Sequence, residues 1–427
     1  MSKHYAIFGA GLSAQAACRL AQAKGLSVVL IDEAGEGDQA TFEASDLERF
    51  ECFVFSPGFA AEHPWRILAE ASSSPCMSEI AFAARYWDGR VIGVTGTNGK
   101  STLTGLIAKA LSFSGHVTLA AGNIGYPFSE AVLSESNQEG AYAVLEISSF
   151  QAELADGMEL DALLWTNFAE DHLDRYHSMA RYFKAKAKLF DCLKPNAICV
   201  VGPQVAEWMA NQRKAFDDCS IAHEVVDLVL QLDADSVFQR FPYSKNFSLA
   251  AELWCLMDLP PAALIEAANA FVLPPHRLDV VAECGSVRFW NDSKATNFHA
   301  TLAAIRSIDR PIVWIGGGRA KGGDIEAFAQ QVGPQVNMAV LYGEVAEHLA
   351  KALKGSLGSV HVYECFDHAI AAAAEFAAKV PHANVLLSPG FASYDQFDSF
   401  DARGKNFNDI VLSLKNAHKP SYCYSIE

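Results

Sequence analysis

The chain has 427 residues, of which 51% are hydrophobic and 19% are charged, so it can bury a large core and form more than one domain. Its formal net charge of -17 argues against nucleic acid or an anionic membrane surface as the main partner. No apolar run reaches the ~18 residues of a membrane-spanning helix and no secretory signal opens the chain, so we expect a cytoplasmic protein. The 10 cysteines show no CxxC pair and no metal-ligand spacing, which favours free thiols.

The amino-terminal segment has the pattern of a βαβ unit. A short apolar run from Tyr5 to Phe8 leads into a glycine turn, then into a helical stretch to about Lys24, and then into a strand that ends at Asp32. Taken alone, this turn suggests a dinucleotide site in which the helix start takes a pyrophosphate and Asp32 a ribose hydroxyl. The same geometry accepts UDP, so a dehydrogenase and a UDP-binding protein both remain open at this point.

A second strand, turn and helix carry the strongest local signal. Strand Val91 to Val94 is followed by a turn and by a predicted helix from Leu103 to Phe113; the turn consists of Gly96, Thr97, Asn98, Gly99, Lys100, Ser101 and Thr102. Backbone N–H groups of such a turn wrap a polyphosphate, Lys100 meets the terminal phosphates, and Ser101 can offer its hydroxyl to Mg²⁺. The common pattern has a further glycine where this chain has Val94. We predict a nucleotide triphosphate site here.

Polar residues downstream supply candidate metal ligands and cations. The run from Ala143 to Gln151 predicts a buried strand that presents Glu146 on the metal side of the nucleotide site. His172 lies in a segment dense in potential ligands, and Lys186 lies in a helical stretch from Tyr182. The structural alternatives are a hydrogen-bonded loop histidine and a solvated helix face, and this segment alone does not decide between them.

The last third combines a third strand and glycine turn with three scattered cations. A strand from Arg310 to Ile315 precedes Gly316, Gly317 and Gly318. Arg277, Lys294 and Lys321 could neutralise a γ-phosphate and a substrate carboxylate at one anion site. Chain breakers near 87–90 and 273–276 divide the chain into predicted domains 1–88, 89–274 and 275–427.

In their residues and in their order along the chain, these motifs resemble those of the Mur ligase family, and the resemblance covers essentially the whole chain. The family's phosphate loop corresponds to Thr95 to Thr102, its asparagine turn to Gly122 to Gly125, and its linker arginine to Arg277. The resemblance implies an α/β protein with a Rossmann-like UDP-binding amino-terminal domain, a central P-loop ATPase-type domain and a Rossmann-like carboxyl-terminal domain. Where the family usually has His-Asn before its adenine-side asparagine, this chain has Pro242-Tyr243, and Asn246 is the matching residue.

The resemblance also implies roles for particular residues. Catalytic roles fall to Lys100, His172, Lys186 and Arg277. The nucleotide contacts are the turn residues Gly96 to Thr102 together with Asn246, Arg277 and Asp292. The implied substrate contacts are Leu12, Ser13, Asp32, Ser56, Gly58, Asn123, Gln151, His172, Lys294, Thr296, Lys321, Ser393 and Phe400, of which Thr296, Lys321, Ser393 and Phe400 line the amino-acid pocket. The implied metal ligands are Ser101, Glu146, His172 and a Lys186 carbamoylated by CO₂.

The reaction implied by the resemblance is an ATP-dependent amide ligation with two Mg²⁺ ions. The features are most similar to the members that add D-glutamate to UDP-N-acetylmuramoyl-L-alanine in peptidoglycan synthesis. We expect a monomer that acts without nucleic acid or membrane insertion. A sister ligase with L-glutamate or a folate-type substrate is the nearest alternative. A non-catalytic nucleotide-binding switch is a second one, although the guanine-reading Asn-Lys-x-Asp motif is absent from the sequence.

Overall fold

The computed structural model describes residues 4–211 and 219–417, which form two compact units. One unit reaches to Phe168 and resumes at Arg175–Phe271, and the other comprises Ala169–Asp174 and the described residues from Val272 onward. The predicted division at residues 88 and 274 stays a prediction. Among the described helices, none combines the length and the apolar character that crossing a bilayer requires.

The first unit begins with a four-stranded parallel sheet in the order β2-β1-β3-β4. Its strands are β1 His4–Phe8, β2 Val28–Ile31, β3 Phe50–Phe55 and β4 Cys76–Ser78. Its helices are α1 Leu12–Ala23, α2 Pro64–Glu70 and α3 Glu79–Ala84. Aromatic side chains fill the core on one face of this sheet, where the Phe8 and Phe55 rings stack 4.2 Å apart. The predicted βαβ unit is confirmed.

The same unit contains a six-stranded parallel sheet in the order β10-β9-β8-β5-β7-β6. Its strands are β5 Arg90–Thr95, β6 Thr118–Gly122, β7 Tyr142–Glu146, β8 Leu160–Trp165, β9 Leu193–Val201 and β10 Cys219–Ile221. The helices of this region are α4 Lys100–Phe113, α5 Phe128–Leu133, α6 Ser149–Ala152, α7 Leu173–Tyr176, α8 Met179–Ala187, α9 Pro203–Asn211, α10 Val226–Val229, α11 Tyr243–Leu256 and α12 Pro261–Asn269. Hydrophobic clusters on both faces bury the central strands, which explains their continuous apolar runs.

One pair of cysteines differs from the expectation of free thiols. Cys199 on β9 and Cys219 on β10 face each other in register, with Cα atoms 4.7 Å apart, and are joined as a disulfide. The spacing of the cysteines along the sequence does not predict this pair, because the two residues come together only when β9 and β10 pair in the sheet. Cys423 lies outside the described residues. The seven other described cysteines are free thiols: Cys18, Cys52, Cys76, Cys192, Cys255, Cys284 and Cys365.

The second unit is built on a six-stranded sheet in the order β11-β12-β16-β13-β14-β15. Its strands are β11 Asp279–Cys284, β12 Val287–Asn291, β13 Ile312–Gly317, β14 Met338–Tyr342, β15 Val360–Tyr363 and β16 Asn384–Gly390. Its helices are α13 Phe298–Arg306, α14 Ile325–Val332, α15 Ala346–Leu353, α16 Phe366–Ala377 and α17 Phe400–Ala417. β11 and β12 form an antiparallel hairpin, and the remaining pairs are parallel. The predicted α/β class is therefore confirmed.

Short 3-10 helices complete the described secondary structure, and several element boundaries differ from the predicted ones. The 3-10 segments are Ala44–Arg49, Lys188–Cys192, Val237–Gln239 and Gly333–Gln335. β13 begins at Ile312 rather than at Arg310, and the intervening Pro311 has no N–H group to give to a strand ladder. The predicted strand from Ala143 to Gln151 ends at Glu146, because Ser148 caps the short helix α6.

Candidate active site

The phosphate loop joins the end of β5 to the start of α4, at the carboxyl edge of the six-stranded sheet of the first unit. α4 begins at Lys100, three residues before its predicted start, so its first N–H groups belong to the loop itself. Gly99 has φ +83°, and a Cβ atom there would lie 2.6 Å from the Asn246 side-chain oxygen. The loop therefore needs glycine at this position. The amino end of a 14-residue helix that follows a glycine turn is suited to binding anionic phosphate.

Side chains from two distant segments hold the loop in shape. The N–H of Thr97 donates to the Asn167 carbonyl at 3.1 Å, and the N–H of Asn98 donates to Asn167 Oδ1 at 2.9 Å. Asn246 on α11 donates to the Gly99 carbonyl at 3.0 Å. The Lys100 ammonium folds back on the loop and donates to the carbonyl groups of Gly96 and Thr97, both at 2.9 Å. The sequence assigned a nucleotide contact to Asn246, whereas Asn167, which lies just after β8 in the segment dense in potential ligands, was given no role.

Glu146 ends β7 beside the phosphate loop and keeps one carboxylate oxygen unpaired. Its side chain is buried, and Oε1 accepts a hydrogen bond of 2.9 Å from Nδ2 of Asn123, a predicted substrate contact. Oε2 is buried and has no hydrogen-bond partner. A buried carboxylate oxygen without a partner is costly unless a cation or donor completes it, and Mg²⁺ prefers such oxygen ligands. Glu146 therefore fits a magnesium ligand.

Among residues 4–211 and 219–417, no group of three or more His, Cys, Asp and Glu side chains is arranged to hold an ion. A Mg²⁺ ion at Glu146 would therefore draw on the Ser101 hydroxyl, on phosphate oxygens and on water, which is the usual environment of Mg²⁺ in nucleotide sites. Ser101 is half-buried at the start of α4, next to Lys100.

Lys186 is buried under the phosphate loop instead of lying on a solvated helix face. Its side chain on α8 is 1% exposed, whereas Lys184 on the same helix is exposed. The Lys186 ammonium donates to Thr95 Oγ1 at 3.2 Å and to the Gly96 carbonyl at 3.0 Å. The neighbouring Tyr182 hydroxyl lies 3.3 Å from Thr97 Oγ1. The end of this lysine therefore lies at the base of the phosphate loop.

The four-stranded sheet of the first unit presents a second set of predicted contacts at its carboxyl edge. Leu12 and Ser13 open α1, and Leu12 is largely exposed. Asp32 follows β2, and its Oδ1 accepts the N–H of Ala34 at 3.0 Å. Ser56 follows β3 in a tight turn that also contains Gly58, and the Ser56 hydroxyl is buried without a hydrogen-bond partner. An unpaired hydroxyl at a strand end is typical of a ligand contact.

Gln151 has an internal partner. Its Oε1 accepts the N–H and the hydroxyl of Ser148 at 3.0 and 2.9 Å, which forms a capping box at the start of α6. This arrangement serves the helix and leaves the side-chain NH₂ group as the part of Gln151 that could meet a substrate. The predicted substrate contact of Gln151 stays a prediction.

In the second unit, the segment Ala169–Asp174 carries His172 and is held by two side chains of the carboxyl-terminal fold. Lys321 Nζ donates to Asp171 Oδ1 at 2.7 Å, and Asn297 Nδ2 donates to Asp171 Oδ2 at 3.1 Å. Asp171 is 8% exposed, so the ion pair with Lys321 lies largely out of water. His172 has φ +55°, and its Nε2 lies 3.7 Å from Asp171 Oδ2. The sequence placed Asp171 in the segment dense in potential ligands around His172, but it assigned Asp171 no role of its own.

Residues Asn291 to Lys294 form a polar block at the end of β12, and the first three of them are buried. The Asn291 side chain is fully buried. Its Nδ2 lies 2.9 Å from His276 Nδ1 and donates to the carbonyl group of Gly404 at 2.9 Å. Asp292 accepts the Ser388 hydroxyl at 2.8 Å, and burial raises the pKa of its carboxyl to about 7. Burial also lowers the pKa of His276. Burial therefore favours the neutral form of both groups in the block that organises the loop carrying Arg277.

The structure brings together two of the four residues predicted to line the amino-acid pocket. Thr296 and Lys321 line one narrow cleft with Asp171 and Asn297. Ser393 is buried, and Phe400 instead packs against Lys294, whose ammonium lies 3.7 Å from the ring centroid. Neither Ser393 nor Phe400 is part of that cleft. The shared pocket of all four residues stays a prediction.

The chain matches two family models and known proteins along most of its length. The model of the Mur ligase middle domain matches residues 94–239, and that of the Mur ligase, glutamate ligase domain matches residues 276–391. UDP-N-acetylmuramoylalanine--D-glutamate ligase of Protochlamydia amoebophila is 30% identical and covers 96% of this chain and 97% of its own length. The enzyme of the same name from Cereibacter sphaeroides is 34% identical, with 96% and 97% covered.

Solved structures show the same fold at low identity. A pseudomurein peptide ligase type C from Methanothermus fervidus superimposes with a TM-score of 0.60 at 15% identity, covering 97% of this chain and 100% of its own. MurF ligase from Thermotoga maritima in complex with ADP gives a TM-score of 0.58 at 15% identity, with 98% of each chain covered. At such identities the likeness concerns the architecture of the chain alone.

Proposed function

The chain belongs to the Mur ligase family, and from this premise we propose that it joins D-glutamate to UDP-N-acetylmuramoyl-L-alanine at the expense of ATP in peptidoglycan synthesis. The observation that carries the proposal is the match, over nearly their whole length, to relatives named for this reaction. The phosphate loop and the half-paired Glu146 carboxylate support the ATP-dependent part of it. The reaction would take place in the cytoplasm, where ATP is available.

In the first step, a carboxylate oxygen of the precursor attacks the γ-phosphorus of ATP, and the bond from that phosphorus to the β-phosphate bridging oxygen breaks. The products are an acyl phosphate and ADP. Two anions must approach each other, so the protein contributes mainly neutralising charge and fixed positions. Loop N–H groups and the amino end of α4 hold the phosphates, while Lys100 and Arg277 stabilise the transferred phosphoryl group. Asn246 and Asp292 are proposed contacts of the nucleotide.

When bound, two Mg²⁺ ions would supply positive charge to the phosphate oxygens. Ser101 and Glu146 would hold one ion, and His172 and a carbamate on Lys186 would hold the other. Carbamoylation would replace the Lys186 cation by oxygen ligands of the kind that a hard metal prefers. The buried position of this side chain at the base of the loop supports the proposal.

In the second step, the neutral amine of D-glutamate attacks the acyl carbon, phosphate leaves, and the amine loses a proton to give the amide. Thr296 and Lys321 would hold a carboxylate of the acceptor, with Ser393 and Phe400 as further predicted contacts. Lys294 would add positive charge near the acyl phosphate. The division of labour we propose is precursor binding by residues 1–88, ATP binding by 89–274 and amino-acid binding by 275–427.

The test is an amino-acid-dependent assay of ADP formation with UDP-N-acetylmuramoyl-L-alanine, run in parallel with D-glutamate and L-glutamate. We expect ADP and the amide product with D-glutamate only. A Lys100→Ala variant serves as the control for contaminating ATPase. Product formation with L-glutamate alone would move the chain to a sister ligase, and no product with either amino acid, despite ATP binding, would favour a non-catalytic nucleotide-binding protein.

A further inference from the structure

A buried ionic network in the first unit has no part in the reaction as described so far. Its centre is Glu153, whose side chain is 9% exposed and accepts hydrogen bonds from three other side chains. Arg66 Nη1 donates at 2.5 Å, Arg175 Nε and Nη2 donate at 3.2 and 3.1 Å, and the Tyr176 hydroxyl donates at 2.7 Å. Two arginines on one buried carboxylate hold it in place, because their charges offset the cost of removing Glu153 from water.

Arg175 extends this assembly to the turn that follows β3. Its Nη1 donates to the Pro57 carbonyl at 3.0 Å, and its Nη2 donates to the Phe59 carbonyl at 3.1 Å. The guanidinium also lies over the Phe150 ring, 4.1 Å from its centroid. The planar fork of arginine is required here, since one group serves a carboxylate and two carbonyls at once.

The turn held in this way carries a hydroxyl that has no internal partner. The Ser56 N–H donates to Phe8 and its carbonyl accepts from Phe59, so the backbone of the turn is used internally. The Ser56 hydroxyl, by contrast, is buried and unpaired. The turn lies at the carboxyl edge of a parallel sheet, beside the amino end of α1, where such folds place nucleotides. Rigid backbone with one unsatisfied hydroxyl is the form of a prepared ligand contact.

We propose that Arg175 is a positioning residue for the nucleotide-sugar substrate: it fixes the Ser56–Phe59 turn through two backbone carbonyls while Glu153 fixes Arg175. This inference rests on the proposed function for the identity of the substrate. Arg175 also follows directly after the segment that carries His172, so the same side chain anchors the point where the chain returns to the first unit.

The test compares Arg175→Lys with Tyr176→Phe in the full chain. Arg175→Lys keeps the charge but loses the fork, whereas Tyr176→Phe removes one hydrogen bond to Glu153 without touching the turn. Binding of UDP-N-acetylmuramoyl-L-alanine and of ATP is measured by calorimetry, and KM and kcat by ADP formation. We expect Arg175→Lys to raise the precursor Kd and KM about tenfold, the scale of a lost hydrogen bond to a charged group, with ATP affinity within about twofold. Tyr176→Phe should leave both affinities within about twofold.

Equal weakening of precursor binding by both variants, or equal weakening of ATP and precursor binding by Arg175→Lys, would overturn the proposal in favour of a general structural role. If Arg175→Lys does not fold, Ser56→Ala decides: unchanged precursor affinity overturns the proposal, and a selective loss supports it. A wild-type chain that binds the precursor without turnover would refute the proposed function alone, because the Kd comparison still judges Arg175. A wild-type chain that does not bind the precursor would refute both.

Discussion

Replacing Asp292 by asparagine should remove a pH dependence of stability from the second unit. Asp292 is 9% exposed, and burial raises the pKa of its carboxyl from 3.8 to about 7, against the opposing effects of the Ser388 hydrogen bond and the Arg277 charge. Between these values, the folded state keeps a proton that the unfolded state has lost. The contribution to stability is therefore present at low pH, falls as the pH rises through this window, and is fully lost above about pH 7.

The expected loss of unfolding free energy depends on the pH range that the assay covers. From pH 5 to pH 8 the wild-type chain should lose about 3 kcal/mol of unfolding free energy through this group, at about 1.4 kcal/mol for each tenfold change in proton affinity. Asp292→Asn cannot titrate, so this part of the slope should be absent. Urea unfolding at pH 5 and pH 8, followed by tryptophan fluorescence, measures the difference.

Asp309→Asn is the matched control, because Asp309 is exposed in the same unit and its replacement removes the same formal charge. It should leave the wild-type slope unchanged. Parallel pH profiles for the wild-type chain and Asp292→Asn would refute the reasoning, since they would mean that Asp292 titrates alike in the folded and unfolded states.

Three further predictions concern the proposed site and the first unit. Lys186→Ala should lower kcat about 1000-fold, the scale of losing one preorganised electrostatic group, and short carboxylic acids should restore part of it. The same acids should not restore kcat in Lys186→Arg. Full activity of Lys186→Ala would refute the proposed role of a carbamate on Lys186. Lys321→Ala should raise the KM for D-glutamate about tenfold by removing a charge-assisted contact while changing the precursor KM little, and equal effects would contradict its placement. Burial raises the pKa of Glu79 to about 7, so Glu79→Gln should gain thermal stability relative to the wild-type chain as the pH rises from 5 to 8; identical pH slopes would count against this.

Local sequence patterns predicted the elements that carry the phosphate chemistry. A β-rich run, a glycine turn and a helix occur together at the phosphate loop, and each is specified by residues close to one another in the chain. The helix start was predicted at Leu103 and lies at Lys100, because a helix can begin within the turn that binds the phosphate. Glu146 could be placed at a strand end for the same local reason, although α6 ends the predicted run early.

The partners of the site residues were decided only by the tertiary structure. Helical spacing does not distinguish buried Lys186 from exposed Lys184, since the difference depends on which face of α8 meets the phosphate loop. The Asp171–Lys321 pair joins residues 150 positions apart, and Arg175 meets the Phe59 carbonyl across 116 positions. Such contacts depend on how strands are ordered in a sheet and where loops return, and a linear pattern of residues carries neither. The sequence thus determined which chemical groups are available. Packing decided which of them are buried, which are paired, and which keep a polar atom without a protein partner that a ligand can contact.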